Sequence, residues 1–297
     1  MHNHKNIFLL LRVEQWTKSL FIFLPMFFDR RIFSAECWLL SIIAFLAFCF
    51  LSSAIYVFND IYDVDNDRLH PKKCNRPIAS GAVSTHVAWI LCFSCLLASA
   101  GPVMVERLFL FNSSPLWIIL LVYFVLNLFY TLRLKEYAIV DVFIIAIGFV
   151  LRVVAGAVVC GIHVSHWIIL MTFLLALFLA LAKRRDDVLY YNRTGVSARK
   201  NIVKYNIEFL NQSMTIVATM TMLSYVMYTV SDNVMSRIGS DYVYITAIFV
   251  LAGIIKYLQI TIIEVNSGSP TKVLLKNHFI QACVVGWIIT FCLLLYL

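Results

Sequence analysis

Charge is what this chain has little of. Only 13% of its 297 residues are Asp, Glu, Lys or Arg, whereas 62% are hydrophobic. A soluble domain of this length cannot hide so much apolar side chain, so the composition excludes the soluble classes and predicts a membrane protein. Proline is also scarce, with six residues, and little interrupts long helices. No HExxH, P-loop or Ser-His-Asp arrangement is found, so nothing points to zinc hydrolysis, a nucleotide cradle or acyl-enzyme chemistry. Cys92 and Cys95 form a CxxC inside an apolar run, but no second pair follows. The eight cysteines therefore read as small hydrophobes rather than zinc ligands. No cleavable signal peptide is expected, because Met1 to Lys18 is polar and basic and the apolar run after it leads into more spans. Strict repeats and low-complexity segments are absent, and nothing marks off a soluble domain; a single domain over 1–297 is expected.

What is present is a series of apolar stretches of about 18–24 residues, enough to cross a bilayer core as helices. Nine are read: roughly 19–28 extended back toward Arg12, then 35–58, 84–105, 115–132, 138–160, 164–182, 209–230, 242–262 and 279–297. The expected fold is all-α, a polytopic membrane protein with about nine transmembrane helices. The N-terminus and the connections after the second, fourth, sixth and eighth spans hold eighteen Lys and Arg. The other connections hold only Arg30, Arg31, Arg107 and Arg237. The positive-inside rule then puts the N-terminus, and the charged loops 59–83 and 183–208, in the cytoplasm. The net charge of +8 follows from these loops and is no nucleic-acid signal.

The segment after the second span is the richest in chemistry: Asn59-Asp60-Ile61-Tyr62-Asp63-Val64-Asp65-Asn66-Asp67-Arg68. Asn59, Asp63 and Asp67 are spaced i, i+4, i+8 and line one face of a helix. Asp60 flanks that stripe; Asp65 points elsewhere, into solvent. Like charges at this spacing repel and require a compensating cation. An oxygen-only donor set suits a hard ion, Mg²⁺ before Ca²⁺, which keeps some waters and shares its coordination with substrate phosphates. An incomplete carboxylate row on one helix thus reads as a Mg-diphosphate site, against the blander alternative of a solvated acidic cap. Arg68, Lys72, Lys73 and Arg76 follow within nine residues. They supply cations for phosphate oxygens, or serve in part as a topology-setting loop.

Further polar groups are expected near the same membrane face. Asp141 and Arg152 lie eleven residues apart in the fifth span, on one helix face and about 16 Å apart along the axis. An Arg at that depth is a functional-site candidate, its alternative being a buried structural pair. Tyr130 and Lys135 end the fourth span. Lys183-Arg184-Arg185-Asp186-Asp187 ends the sixth, where Lys183 and Asp187 pair or the cluster grips phosphate. Lys18 precedes the first span, beside Trp16, which reads as an interface anchor. Lys256 snorkels, and His163 and His166 read as structural or solvated.

These residues match a known family. The chain resembles the UbiA-type intramembrane prenyltransferases along nearly its whole length. The family's NDxxDxxxD motif matches Asn59, Asp60, Asp63 and Asp67, and its RPI-x-SG tail matches Arg76 to Gly81. The resemblance implies nine helices around a central cavity. A phosphoribosyl-transferring subgroup, the decaprenyl-phosphate phosphoribosyltransferases, is closer still. Its features resemble Arg12 to Lys18, Tyr130 to Lys135, Asp141-Val142-Phe143, Gly148 to Arg152 with Gly156, Lys183-Arg184-Arg185, and Thr194-Gly195 with Arg199 and Tyr205. Two departures stand out: Val13 where Pro is usual, and Asn277-His278 where the subgroup tends to have Asp-Arg. The second puts a charge role for that loop in doubt.

The implied reaction moves 5-phosphoribose from 5-phosphoribosyl-1-diphosphate to a polyprenyl phosphate, releasing diphosphate. In it Asn59, Asp63 and Asp67 hold Mg²⁺ on the leaving group, and Asp141 orients the ribose hydroxyls or a second ion. Cations among Lys18, Arg68, Lys72, Arg76, Lys135, Arg152, Lys183, Arg184 and Arg199, with Asp60 and Tyr130, bind the phosphate-bearing substrates. The lipid phosphate is already an anion, so no strong base is needed. One alternative is classical prenyl transfer from a polyprenyl diphosphate to an aromatic or quinone-precursor acceptor. A transporter, an alternative of another class, would spread polar groups through the membrane depth. The expected location is the cell membrane, with the site facing the cytoplasm. The sequence leaves lipid length and oligomeric state, a homo-oligomer included, open.

Overall fold

A computed structural model of the chain describes residues 2–71, 73–109, 114–196, 201–264 and 270–296. These residues are helical, with no strand among those described. The α-helices are α1 His2–Leu11, α2 Leu24–Phe28, α3 Ala35–Tyr62, α4 Val64–Arg68, α5 Thr85–Phe109, α6 Leu116–Leu132 and α7 Val140–Val159. They continue with α8 His166–Thr194, α9 Ile207–Thr229, α10 Asp232–Ile238, α11 Ala247–Gln259, α12 Pro270–Lys276 and α13 His278–Tyr296. Six helical stretches are long and apolar enough to cross a membrane: Ala35–Tyr62, Thr85–Leu108, Val140–Val159, His166–Thr194, Asp241–Glu264 and His278–Leu295. The chain is a polytopic membrane protein.

Three of the nine predicted spans take another form. α6 is apolar but shorter, at 17 residues. α9 has the length, 23 residues, but carries Asn211, Gln212, Ser213 and four threonines. The first predicted span is not an α-helix: residues Val13–Phe23 form a 3₁₀ helix, and α2 follows with Pro25 in its first turn. Pro25 has no N–H to continue an i→i−4 ladder from the preceding turn, so the chain restarts its helix there.

Local chemistry sets several boundaries. Ser34, Ser165 and Asn206 begin α3, α8 and α9, and each side chain accepts a backbone N–H of its helix's first turn. Gly195 ends α8 at φ 67°, a conformation costly for any residue with a Cβ.

The chain divides into two compact units, Met1–Val164 and Ser165–Leu297. In the first, α3 is the central helix and packs against the 3₁₀ segment, α5, α6 and α7. Its small residues Ala44 and Ala47 and the ring of Phe48 are fully buried. The 3₁₀ segment lies against α7 at Gly156, where an added Cβ would sit 1.8 Å from the Ile22 carbonyl oxygen. Cys92 and Cys95 face the α3 side as buried free thiols, as their apolar context predicts. In the second unit α8 packs on α9 and α11 on α13. Arg185 ties three of its elements: Nε donates to Asn211 of α9 at 2.7 Å, and Nη1 to the Thr261 carbonyl at 2.6 Å, in the π-helical turn that extends α11. Asn277 caps α13 by accepting the Ile280 N–H at 3.1 Å, a structural task for a position where the subgroup carries charge.

Gly156 gives the fold a direct test. Gly156→Ala is expected to lower the melting temperature in detergent, because overpacking against backbone costs about 1–3 kcal/mol or more. Gly101→Ala on α5, with nothing within 4 Å of the new methyl, should match or exceed the parent. Equal melting of both variants would refute the tight contact.

Candidate active site

The acidic segment predicted from the sequence sits at the C-terminal end of α3, but not on one continuous helix. α3 stops at Tyr62, Asp63 takes φ −93° and ψ 5°, and α4 begins at Val64. The i→i−4 pattern nonetheless runs through the break: Asp63 N–H donates to Asn59 O at 3.0 Å and Asp67 N–H to Asp63 O at 2.8 Å. The helical register of Asn59, Asp63 and Asp67 therefore survives while the chain turns at Asp63.

The carboxylates are separated by what they touch. Asp60 and Asp67 are each about 3% exposed and share one cation. Arg76 Nη1 stands 3.1 Å from Asp60 Oδ1 and 2.6 Å from Asp67 Oδ2. Arg12 Nη2 adds a second contact to Asp60 at 2.6 Å, and Lys73 Nζ lies 3.9 Å from Asp67 Oδ1. Arg12 itself holds a left-handed backbone, φ 50° and ψ 47°, with its guanidinium 4.9 Å over the Tyr56 ring. Asp63 is partly exposed and meets a different cation, Lys135, whose Nζ spans both carboxylate oxygens at 2.6 and 2.7 Å. Lys135 also lies 5.3 Å over the Tyr62 ring. Asp65 is the solvated member, 89% exposed as its place on the helix predicts.

The loop carrying Lys135 is strained. Ile139 has φ 71° and ψ −52°, and Val140 N–H reaches the Ala138 carbonyl at 2.8 Å. A β-branched residue in this positive-φ γ-turn is held there by its surroundings. The turn joins the Lys135 loop to the first turn of α7, where Asp141 is fully buried.

Farther along α7, Arg152 is 4% exposed. The sequence leaves a buried structural ion pair open for it, but no carboxylate pairs with it among the described residues. Nη1 donates to the Gly148 carbonyl at 2.7 Å, and Nη2 to Tyr123 Oη at 2.8 Å and Ser52 Oγ at 3.3 Å. Lys18 Nζ reaches Tyr56 Oη at 3.4 Å. Tyr130 is partly buried at the end of α6.

Several predicted roles change. Arg76, expected on phosphate, is committed to Asp60 and Asp67. Arg68 is exposed and faces Asp65 at 3.4 Å, turned from the buried carboxylates. Trp16, read as an interface anchor, is held by the protein: its indole N–H donates to Ser53 Oγ at 3.0 Å and its ring meets Phe50 edge-on. Lys256 does not simply snorkel, since it pairs with Glu264 at 3.0 Å. In the second unit Lys183 is exposed, whereas Arg184 is fully buried with Nη1 3.0 Å from Asp187. His163 and His166 are exposed. Lys72 and Arg199 lie outside the described residues.

Sequence reasoning missed Ser52, Tyr56 and Tyr123. A signal for two of them exists: Ser52, Tyr56, Asn59 and Asp63 follow an i, i+4, i+7, i+11 stripe, which extends the acidic motif back into the apolar part of α3.

Among the described residues no three His, Cys, Asp or Glu side chains approach closely enough to enclose an ion by themselves. The donors at the helix end are all oxygen: the Asn59 amide, the Asp63 carboxylate and Asp67 Oδ1. Such a set fits Mg²⁺, which takes one or two carboxylates and completes its shell with phosphate and water. It does not fit zinc or copper.

The model of the UbiA prenyltransferase family matches residues 26–282. The chain belongs to that family. It is 30% identical to the decaprenyl-phosphate phosphoribosyltransferase of Corynebacterium glutamicum over 287 residues, covering 96% of this chain and 84% of that protein. It is 32% identical to the enzyme of the same name from Mycolicibacterium smegmatis, over 83% of this chain and 77% of the relative. A solved UbiA homologue from Archaeoglobus fulgidus, bound to GPP and Mg²⁺, shares the fold at TM-score 0.70 and 20% identity, covering 96% of this chain and 99% of that one. As a UbiA-family enzyme this chain is a membrane-embedded transferase.

Removing Arg76 tests the arrangement. Arg76→Ala leaves Asp60 with Arg12 alone and Asp67 with only the long contact to Lys73, and removing a partner from a buried pair costs about 3 kcal/mol. A large fall in melting temperature is expected. Arg68→Ala breaks only an exposed contact and should change stability by about 0.5 kcal/mol or less. A mild Arg76→Ala would refute the shared clamp.

Proposed function

We propose that the protein transfers 5-phosphoribose from 5-phosphoribosyl-1-diphosphate to a polyprenyl phosphate, giving polyprenyl-phosphoryl-5-phosphoribose and diphosphate. The likeness to enzymes named for this activity gives the substrate class. The observation that carries the reading to the site is the Asp63–Lys135 pair. A partly exposed carboxylate next to Asn59 holds an ammonium across both oxygens. A magnesium-bound diphosphate would exchange partners with that pair, its oxygens taking the ammonium and its ion taking the carboxylate.

Asn59, Asp63 and Asp67 would hold the ion. The Asp67 oxygen available to it is Oδ1, since Oδ2 is bound to Arg76. When bound, Mg²⁺ draws charge from the leaving diphosphate as the ribose C1–O bond breaks. Lys135 receives a diphosphate oxygen. Asp60 and Arg76 act on the reaction only through position, by fixing Asp67. Asp141, at the far side of the strained turn from Lys135, orients ribose hydroxyls. The lipid phosphate attacks C1 as an anion, so the site needs no strong general base. The reading takes residues 1–297 as one UbiA-like domain with nine membrane segments in the cell membrane. The N-terminus and acidic helix end face the cytoplasm, and the polyprenyl chain lies in the bilayer.

Purified protein incubated with Mg²⁺, radiolabelled 5-phosphoribosyl-1-diphosphate and polyprenyl phosphate should move label into the lipid phase. EDTA should abolish transfer, and Asp63→Ala should reduce it on the order of 10²-fold or more. An Asp63→Ala variant that turns over at the parental rate would overturn the site. Failure of label transfer, in a preparation that prenylates an aromatic acceptor from a polyprenyl diphosphate, would assign it classical prenyl transfer.

A further inference from the structure

Within the first unit a second set of cations lies apart from the acidic helix end. Arg152 is nearly inaccessible, and its Nε has no hydrogen-bond partner. Its other contacts are neutral: the Gly148 carbonyl and the hydroxyls of Tyr123 and Ser52. Three aromatic rings enclose the guanidinium, those of Tyr123 at 4.8 Å, Phe149 at 5.6 Å and Phe48 at 5.7 Å. Lys18, on the 3₁₀ segment, donates only a long bond to Tyr56 Oη at 3.4 Å. The charges of Arg152 and Arg12 and the hydroxyls of Tyr123 and Tyr130 act on it. Among the described residues neither Lys18 nor Arg152 has a carboxylate partner.

Two like charges in an apolar region without a counter-ion are unfavourable unless an anion joins them. The surroundings say which anion. Guanidinium, ammonium and three hydroxyls offer donors, which suits a group with several acceptor oxygens and more than one negative charge. Position separates this anion from the diphosphate. Ser52 and Tyr56 precede Asp63 by eleven and seven residues on α3, about 16 and 10 Å along the axis. A diphosphate held at Asp63 and Lys135 does not extend that far.

We infer that Lys18 and Arg152, with the hydroxyls of Ser52, Tyr56 and Tyr123, form a second anion site that takes a phosphate monoester. The naming of its ligand rests on the proposed function, in which two groups have this chemistry: the 5-phosphate of the ribosyl donor and the phosphate of the lipid acceptor. The aromatic wall of Phe48, Phe149 and Phe21, which meets Phe149 at 5.0 Å, accommodates either an alkyl chain or a sugar edge.

Two measurements test the site. In the first, inorganic phosphate is titrated into purified wild type, Arg152→Gln and Lys18→Gln, and melting is followed. Phosphate should stabilise the wild type and have little effect on either variant, whose ligand-free melting should not fall, since each loses a charge that has no carboxylate partner. A wild type indifferent to phosphate, or an Arg152→Gln protein that keeps the full response, overturns the inference. If Arg152→Gln melts well below wild type, Tyr123→Phe decides, because it leaves the guanidinium in place: a weakened phosphate response supports the site and an intact one overturns it. This arm needs no transferase activity, so it stands even where the proposed reaction fails. In the second, KM is measured for both substrates. A charged hydrogen bond lost should raise KM about tenfold or more for one phosphate-bearing substrate, with the other changed much less. The affected substrate identifies the phosphate. Unchanged KM for both, with only kcat reduced, overturns the assignment.

Discussion

The acidic end of α3 depends on one guanidinium. Arg76 reaches back sixteen residues to Asp60 and nine to Asp67, bonding one carboxylate on each side of the break at Asp63. Without it, two nearly inaccessible negative charges would lie within one helical region, a situation each resists by desolvation and by mutual repulsion. With it, α4 is pinned against α3 and the bend at Asp63 is fixed. Arg12 adds the N-terminal segment to the same knot through Asp60. The consequence is at Asp63, which the knot leaves out. Its carboxylate is the partly exposed one, and it meets the ammonium of Lys135 instead of a guanidinium. A lysine on a flexible stem can give up one anion for another more readily than an arginine that bridges two carboxylates. In the proposed reaction, position falls to Arg76 and contact with the diphosphate to Lys135.

The same division explains why a chain so poor in charge concentrates it here. In a low-dielectric environment every ionised group needs a partner or a ligand. Asp60, Asp67, Arg12 and Arg76 satisfy one another. Lys135 and Asp63 satisfy each other in a pair that stays partly exposed. Lys18 and Arg152 are satisfied by neutral dipoles and aromatic faces, which hold a cation in place without neutralising it. Family membership and the shared fold are consistent with this gradation, since a UbiA-family transferase must bind anions beside an apolar lipid.

The sequence reading was strongest where a local period decides the outcome. The spacing of Asn59, Asp63 and Asp67 made the stripe visible, and the solvated side of Asp65 followed from the same geometry. Hydropathy marked the six helical stretches long and apolar enough to cross a membrane. What stayed hidden depends on contacts between distant residues. Arg76 looks like one more cation in a basic loop until the loop folds back, and Arg12 meets Asp60 across forty-eight positions. Trp16 carries the composition of an interface anchor, yet Ser53 across the unit claims its N–H. The 3₁₀ form of Val13–Phe23 was illegible for a related reason, because the absence of a Cβ at Gly156, far along the chain, lets that segment approach α7. The break at Asp63 lies in a run with no glycine or proline to announce it.

α3 orders the chemistry along its length. Its polar stripe begins with the hydroxyls of Ser52 and Tyr56, beside cations without a carboxylate partner, and ends with Asn59 and Asp63, where carboxylates are paired with cations. A helix rising about 1.5 Å per residue makes this a fixed ruler. Anions are drawn toward the hydroxyl end, and an ion-bound anion toward the carboxylate end. A substrate carrying a diphosphate at one end and a phosphate at the other can lie along such a ruler in only one sense. If the phosphate instead belongs to a lipid, the ruler sets how near its oxygen comes to the carbon that the diphosphate leaves. Either way, orientation comes from unpaired cations at one end of a single helix and paired carboxylates at the other, and the break at Asp63 fixes where the carboxylate end stops.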